Sequence, residues 1–512
     1  MYSRVNSNLL EDRLDAEFYS LEQIKNHKTL QDYGVIPLRA YCNGINVGYT
    51  GELTSIYRDQ GTTLYRVSDI NGIFLSNDDV NYVPDDFATN NSQIWIRDND
   101  IVFAAVGNTI GKVALKTASM PDGVCSRALM IARPLTDKID SSFLIAYLAT
   151  KYAQKSLLRG ISGSAQPVLN TPLIANLPVI SAESLSQKYI GDKVRQAEQL
   201  NAWTKRLEAF IDQQFSFLVQ DLPNPQKHYV VKSADLSPYR INPKQYDPVV
   251  ASAISKTQNS TVLLEKLEDL IDARGIAGGA TPKGASYQTS GVLFCRVQNV
   301  KKLVLDLSDA VYISDNDDKS LKRSRCNNYD IVLTITGYPG TASLVTEKDL
   351  PVNLNQHSVR FGCSAAIKPG YLCAAVNSAF VKLQIDRASI GGTRDSLDYP
   401  SVTNLLIPRL DAPLEDAIHN TVINYVNAIK VSKLLTNSAK ILVEALIEGQ
   451  LTEQQLIQAQ QALEDGDNSL DQAILSKLSA EGYAIEGATP LFSDVDELYS
   501  LLEEAAQAEA EE

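Results

Sequence analysis

Arg, Gln and Asn side chains placed in loops carry one well-defined chemistry, paired hydrogen bonds to planar donor–acceptor edges. An Arg guanidinium matches O6 and N7 of guanine, and a Gln or Asn amide matches N6 and N7 of adenine. In the first half of the 512-residue chain, side chains suited to this work fall in breaker-rich segments at Lys112, Arg127, Arg159, Gln166 and Asn170. In the second half they are Arg274, Lys283, Tyr338, Gln356, Arg387 and Arg394. Loop position and side-chain type select them; the competing role for each is a solvated surface residue.

Bond-making chemistry has no such foothold. His27, His228, His357 and His419 are scattered, and no His-Glu-x-x-His spacing occurs. Gly107-Asn108-Thr109-Ile110-Gly111-Lys112-Val113 is one residue short of a phosphate loop and lacks its magnesium-binding Ser/Thr. A strand followed by a turn explains it, and Gly337-Tyr338-Pro339-Gly340-Thr341 in the second half has no Lys at all. Neither Asn224-Pro225-Gln226 nor Asn242-Pro243-Lys244 continues as the Asn/Asp-Pro-Pro-aromatic motif of an amino-methyltransferase. Pro84-Asp85 has no Glu-x-Lys close downstream, as a carboxylate–lysine nuclease needs. Cys42, Cys125, Cys295, Cys326, Cys363 and Cys373 form no Cys-x-x-Cys pair and read as buried or partly buried thiols. No catalytic residue and no metal site is expected.

Contact with nucleic acid demands cations, and the net charge is −14. The acidity is local. From residue 441 onward there are 17 acidic residues and one basic residue, Lys477, which leaves the rest of the chain near +2. A binding face must therefore come from local clustering of Lys and Arg. No run approaches the 18 or so apolar residues of a membrane span, and Met1–Asn6 starts no apolar signal core. A cytoplasmic location is expected.

The elements that position these residues come in two copies. Leu64-Tyr65-Arg66-Val67 matches Phe294-Cys295-Arg296-Val297. Asp100-Ile101-Val102-Phe103 matches Asp330-Ile331-Val332-Leu333, and Asn81-Tyr82-Val83 matches Val311-Tyr312-Ile313. Asn176-Leu177-Pro178 matches Leu406-Ile407-Pro408. Every match has one offset, 230 residues (331 − 101). A further echo, Arg13-Leu14-Asp15 with Arg240-Ile241-Asn242, has a slightly shorter one. Such a period describes a duplicated domain, not a solenoid. Each copy holds short β-branched runs bounded by Gly, Pro and Asp, then a helix over Ser142–Leu158 or Tyr371–Ile385, then a Gly-rich turn at 159–167 or 388–394.

A long helical stripe follows each copy. Ile190, Val194, Ala197, Leu200, Trp203, Leu207 and Phe210 predict a helix over Ala182–Leu218. Ile418, Val422, Tyr425 and Ile429, then Leu435, Ala439, Leu442 and Leu446 after a break near Ser432, predict one over Pro413–Glu448. Asp411 suits its N-cap and Gly449 its C-terminal stop. At 1.5 Å per residue each is about 50 Å long. The narrow stripe suggests helix–helix pairing; the alternative is two helices each packed on its own domain.

This layout, with Arg13-Leu14-Asp15 or Arg240-Ile241-Asn242 opening each copy and Leu177-Pro178 or Ile407-Pro408 closing it, resembles the specificity subunits of type I restriction–modification systems. Leu442-Val443-Glu444-Ala445-Leu446-Ile447-Glu448-Gly449 is similar to the end of that family's second helix. The resemblance spans residues 1–450. It implies an α+β fold: two duplicated mixed α/β target-recognition domains (1–180 and 223–410), separated by two long antiparallel coiled-coil helices (181–222 and 411–449), plus an acidic helical extension (450–512). It implies a DNA-binding chain that reads one asymmetric, split site in double-stranded DNA. Two methyltransferase subunits would dock on the helices and motor–nuclease subunits would join them in phage defence. S-adenosylmethionine, ATP and magnesium would sit on those partners, with no cofactor in this chain. Two sites on one face of B-DNA lie about 34–36 Å apart per turn, within the span of the helices.

Three matters stay open at this level. The same rod suits a non-catalytic adaptor of another defence complex, and a free-standing nuclease is a more distant reading. Residues 450–512 hold helical patches at 473–478 and 491–502, with Glu503–Glu512 expected to be frayed. That tail suits a methyltransferase contact, a cap over a basic DNA face, or a solubilising appendage.

Overall fold

The computed structural model describes residues 16–510, apart from 160, 162–167, 225–227, 237–242, 283, 285–286 and 392–393. The chain forms two compact units: residues 1–202 with 430–512, and residues 203–429. Both boundaries fall inside long helices.

In the first unit, β-branched and aromatic runs form a six-stranded sheet. Its order is Cys42–Val47, Leu129–Pro134, Ile101–Ala104, Val113–Leu115, Phe74–Leu75, Ile70–Asn71. The central strand Ile101–Ala104 is buried along its whole length, as its unbroken apolar run requires. A four-stranded sheet, Asn81–Val83, Thr62–Tyr65, Gly123–Cys125, Trp95–Ile96, lies beside it in sequence order and shares its core residues Tyr65, Ile96 and Cys125.

The second unit repeats the registers. Thr62 pairs with Val83 and Val292 with Ile313, at one 230-residue spacing (292 − 62). Ile101 pairs with Leu115 and Ile331 with Leu344, so one residue is lost between those strands in the second unit. The first strand of each unit keeps a shorter offset. Pro37 pairs with Pro178 while Leu264 pairs with Pro408, and the helices Leu21–Tyr33 and Pro248–Gln258 start 227 apart (248 − 21). The 227-residue echo between Arg13 and Arg240 lies on residues outside those described.

The repeated motif residues have structural work. Arg66 and Arg296 each take an N-cap position, with backbone N–H donating to Asp69 (2.7 Å) and Asn299 (2.9 Å). Their guanidinium groups donate to the carbonyls of Asp79 and Asp309. Asp100 and Asp330, each 1% exposed, accept the backbone N–H of Arg97 and Asn327 at 2.8 Å. Each carboxylate also has a guanidinium partner, Arg133 or Arg274.

The expected single helices over Ser142–Leu158 and Tyr371–Ile385 are each two. They are Ser141–Leu148 with Lys151–Arg159, and Pro369–Asn377 with Ala379–Ala388. The breaks are capped. Thr150 Oγ1 accepts from Ala153 N (3.2 Å) and Ser378 Oγ from Val381 N (3.4 Å), which restarts the helix. The apolar spacing runs on through both breaks and hides them.

The long helices are Ser184–Ser216 and Ala412–Ile447, within two residues of expectation. The second follows Asp411 and ends at Gly449, whose φ of 70° suits a C-terminal stop. In the first unit Ser432, where the stripe breaks, is buried, and its Oγ donates to the Ala197 carbonyl at 3.0 Å. In the second unit Ile211, Phe215, Ile418 and Val422 share one core with the domain helix residue Tyr371, whose ring lies 5.9 Å from that of Phe215. Phe210, read as a stripe residue, is 38% exposed; Ile211 takes the buried position.

The acidic extension is helical, and the fraying expected over Glu503–Glu512 is not seen at residues 503–510, which continue its last helix. It comprises helices Glu453–Glu464 and Ser469–Leu475, a short hairpin, and a helix Val495–Ala510 that buries Leu498, Leu501 and Ala505. It packs on the start of the first long helix. Asp471, 1% exposed, lies 2.7 Å from the equally buried Lys193 Nζ. It also accepts from Tyr189 OH (2.5 Å) and Tyr499 OH (2.6 Å). Burial pushes the Asp471 carboxyl up, but Lys193 and these hydrogen bonds outweigh it and hold it below its ordinary value.

Candidate nucleic-acid interface

One backbone node in each unit gathers the candidate loops. Ala105 follows the central strand; its N–H donates to Ala128 O (2.8 Å) and its carbonyl accepts from Leu169 N (2.9 Å). Ile335 occupies the matching place. Its N–H donates to His357 O (2.9 Å) and its carbonyl accepts from Leu397 N (2.9 Å). Three segments are thereby tied together in each unit: the hairpin loop after the central strand, the turn before the next strand, and the stretch before the last short helix.

A fourth segment joins them through glycine. Gly48 N donates to Leu129 O (3.0 Å) and Gly279 N to Ser358 O (3.2 Å). A Cβ at Gly48 would sit 2.1 Å from Ser126 O, and one at Gly279 would sit 2.1 Å from Leu354 O. Only glycine lets the backbones approach this closely.

Six of the eleven candidates are exposed on these segments, Asn170 among them. Lys112 and Tyr338 lie in the hairpin loops, Arg127 and Gln356 in the turns, and Arg394 before the last helix. Tyr338 is 87% exposed. The side chains of Lys112, Arg127, Tyr338 and Arg394 make no hydrogen bond or ion pair with the described residues. Asn170 is on the node too, but its side chain caps the helix Thr171–Ala175 by accepting from Leu173 N at 3.0 Å. Asp398 does the same for Tyr399–Thr403. Gln166 and Lys283 lie outside the described residues.

Three arginines are engaged by carbonyls and carboxylates of the fold itself. Arg274 directs its nitrogens at Asp272 and Asp330; the hydrogen bonds to Asp330 lead in raising its pKa above the ordinary value. Arg159 Nε donates to Phe18 O (3.1 Å), with its guanidinium 3.8 Å from the Phe18 ring. Arg387 Nε donates to Gln245 O. Arg159 and Arg387 stand 228 apart (387 − 159), and Phe18 and Gln245 stand 227 apart (245 − 18). Both arginines thus anchor the segment that enters the first domain helix. An open groove of about 380 Å³, lined by Gln245, Gln384 and Asn404, lies beside Arg387.

Sequence reasoning missed Thr281 and His357. Thr281 Oγ1 donates to Gln356 Oε1, and His357 Nε2 lies 3.3 Å from Gln356 Nε2. Adjacency to Gln356 was the available signal for His357; Thr281 gave none.

The cysteines are unpaired thiols, five buried and Cys363 half-buried. Among the described residues no cluster of His, Cys, Asp and Glu is arranged to hold a metal, and no helix is long and apolar enough to cross a membrane.

No family model matches the chain. A specificity subunit of the type I restriction enzyme MjaVIII from Methanocaldococcus jannaschii is 26% identical over 127 residues, covering 24% of this chain and 29% of the relative. The resemblance is to a type I specificity subunit. The aligned part spans less than a third of that subunit's own length. Two solved specificity subunits also align. The type I S subunit from M. genitalium has 12% identity and a TM-score of 0.41, over 81% of this chain and 94% of the other. HsdS from Thermoanaerobacter tengcongensis has 14% identity and a TM-score of 0.28, over 81% and 97%.

Proposed function

We propose that the chain is a non-catalytic DNA-reading subunit of a type I restriction–modification system, in which two duplicated target-recognition domains each read one half of an asymmetric site. The observation that carries this reading is the repeated node. Ala105 and Ile335 gather equivalent loops, and the exposed cations and amides stand on those loops. The sequence match to a specificity subunit supports it independently.

In this reading the helices Ser184–Ser216 and Ala412–Ile447 pair as an antiparallel coiled coil that fixes the gap between half-sites. Inside the first unit the two helices touch where Ser432 Oγ donates to the Ala197 carbonyl. Different loop residues in the two domains make the half-sites differ, where identical domains would read a palindrome. Methyltransferase and motor–nuclease subunits supply catalysis, with S-adenosylmethionine, ATP and magnesium bound on them. Lys112, Arg127, Tyr338, Gln356 and Arg394 are the DNA contacts; Arg159, Arg274 and Arg387 brace the fold through their carbonyl and carboxylate partners.

A titration of the full chain with duplex DNA at several salt concentrations tests this. Affinity should fall steeply with salt, because each neutralised phosphate contributes about 0.9 to the log–log slope. A chain that binds no duplex at low salt is instead the protein adaptor.

A further inference from the structure

Arg127 and Gln356 occupy one position of the fold. Arg127 lies between the strands Gly123–Cys125 and Leu129–Pro134. Gln356 lies between Val352–Leu354 and Ser358–Phe361. The strands leaving the two turns pair alike with the central strand: Leu129 opposite Ala104, and Ser358 opposite Thr334. Counting back two residues from Leu129 and from Ser358 gives Arg127 and Gln356. The next residues, Ala128 and His357, hold the node through their carbonyls. The backbone of the turn is therefore fixed in the same way in both units, and the exposed side chain at its tip differs.

We infer that this turn position selects the base at one equivalent place in each half-site, guanine through Arg127 and adenine through Gln356. The inference rests on the DNA-reading function proposed above. The pairing chemistry follows from the side chains: a guanidinium presents two donors to O6 and N7 of guanine, and a carboxamide presents an acceptor and a donor to N6 and N7 of adenine.

The surroundings of Gln356 fit that role. Thr281 Oγ1 donates to Oε1 and leaves that oxygen a second lone pair. His357 Nε2, 3.3 Å from Gln356 Nε2, accepts one amide hydrogen when its proton is on Nδ1, and leaves the other free. In that tautomer the amide is held in one orientation, with one acceptor site and one donor unused and exposed. Arg127 needs no such orientation, because every hydrogen it presents is a donor.

The test is selection of bound duplexes from a random pool by the full chain. The wild-type chain, Arg127→Gln, Gln356→Arg and the double variant are compared. Thermal melting checks that each exchange, made at an exposed turn position, leaves the fold intact. Arg127→Gln should convert one G·C position to A·T in one half-site, and Gln356→Arg should do the reverse in the other. Each original base should lose preference by about five- to 150-fold, the range for one bidentate contact. A wild-type motif that neither exchange alters overturns this inference alone, as does a change to any other base. A wild-type chain that enriches no motif overturns both this inference and the DNA-reading function.

Discussion

Replacing Lys193 with Met isolates the contact that holds the acidic extension on the first long helix. Lys193 and Asp471 are each 1% exposed in their side chains and 2.7 Å apart, so solvent screens little of their interaction. Met fills most of the lysine's volume but leaves the carboxylate with only the hydroxyls of Tyr189 and Tyr499 as partners. Removing one member of a buried pair costs about 3–5 kcal/mol. At 1.36 kcal/mol per factor of ten, the opening equilibrium of the extension should rise by between about a hundredfold and several thousandfold. Hydrogen exchange of the full chain reads this directly. Amides in Glu453–Glu464, Ser469–Leu475 and Val495–Ala510 should lose protection, while those in Ile101–Ala104 and Ile331–Thr334 keep theirs. Unchanged protection in the extension would mean that the apolar contacts alone hold it and that the ion pair does not.

The same contact sets a pH response. The Asp471 carboxyl lies below its ordinary value in the folded chain, so its contribution is present above the unfolded value, about 3.9, and is lost as pH falls through the lower folded value. Protection of the extension at neutral pH should therefore collapse on acidification below about pH 4, before that of any element lacking such a carboxylate. Arg387→Ala should cost about 1.5–3 kcal/mol, the worth of a hydrogen bond to a charged group. Arg159→Ala should cost more, because the stacking on Phe18 is lost as well; calorimetric melting compares the two, and neither should change base preference in bound DNA.

The repeated strand registers were legible in the sequence because registers follow the apolar runs that bury them, and those runs recur at 230 residues. The offset drifts to 227 at the first helix, 229 after the central hairpin and 228 at the last helices, where loops gain or lose a residue. Following that drift pairs Arg127 with Gln356 and Arg159 with Arg387. At a fixed 230 they do not align, so the sequence repeat alone does not pair them. Arg159, Arg274 and Arg387 looked like base readers because sequence shows the cation and not the carbonyl or carboxylate that claims it. The docking of the extension on the first long helix was equally hidden. The extension's buried charge among the described residues, Asp471, meets Lys193 on a helix 278 residues earlier, and no local pattern announces such a pair.

The central claim is that two equivalent loop clusters contact one duplex at two separate places. Footprinting the full chain on a duplex it selects measures this most directly. Two short protected stretches of different sequence, divided by unprotected base pairs of fixed number, are the predicted result. One continuous stretch, or a palindromic pair, would contradict it.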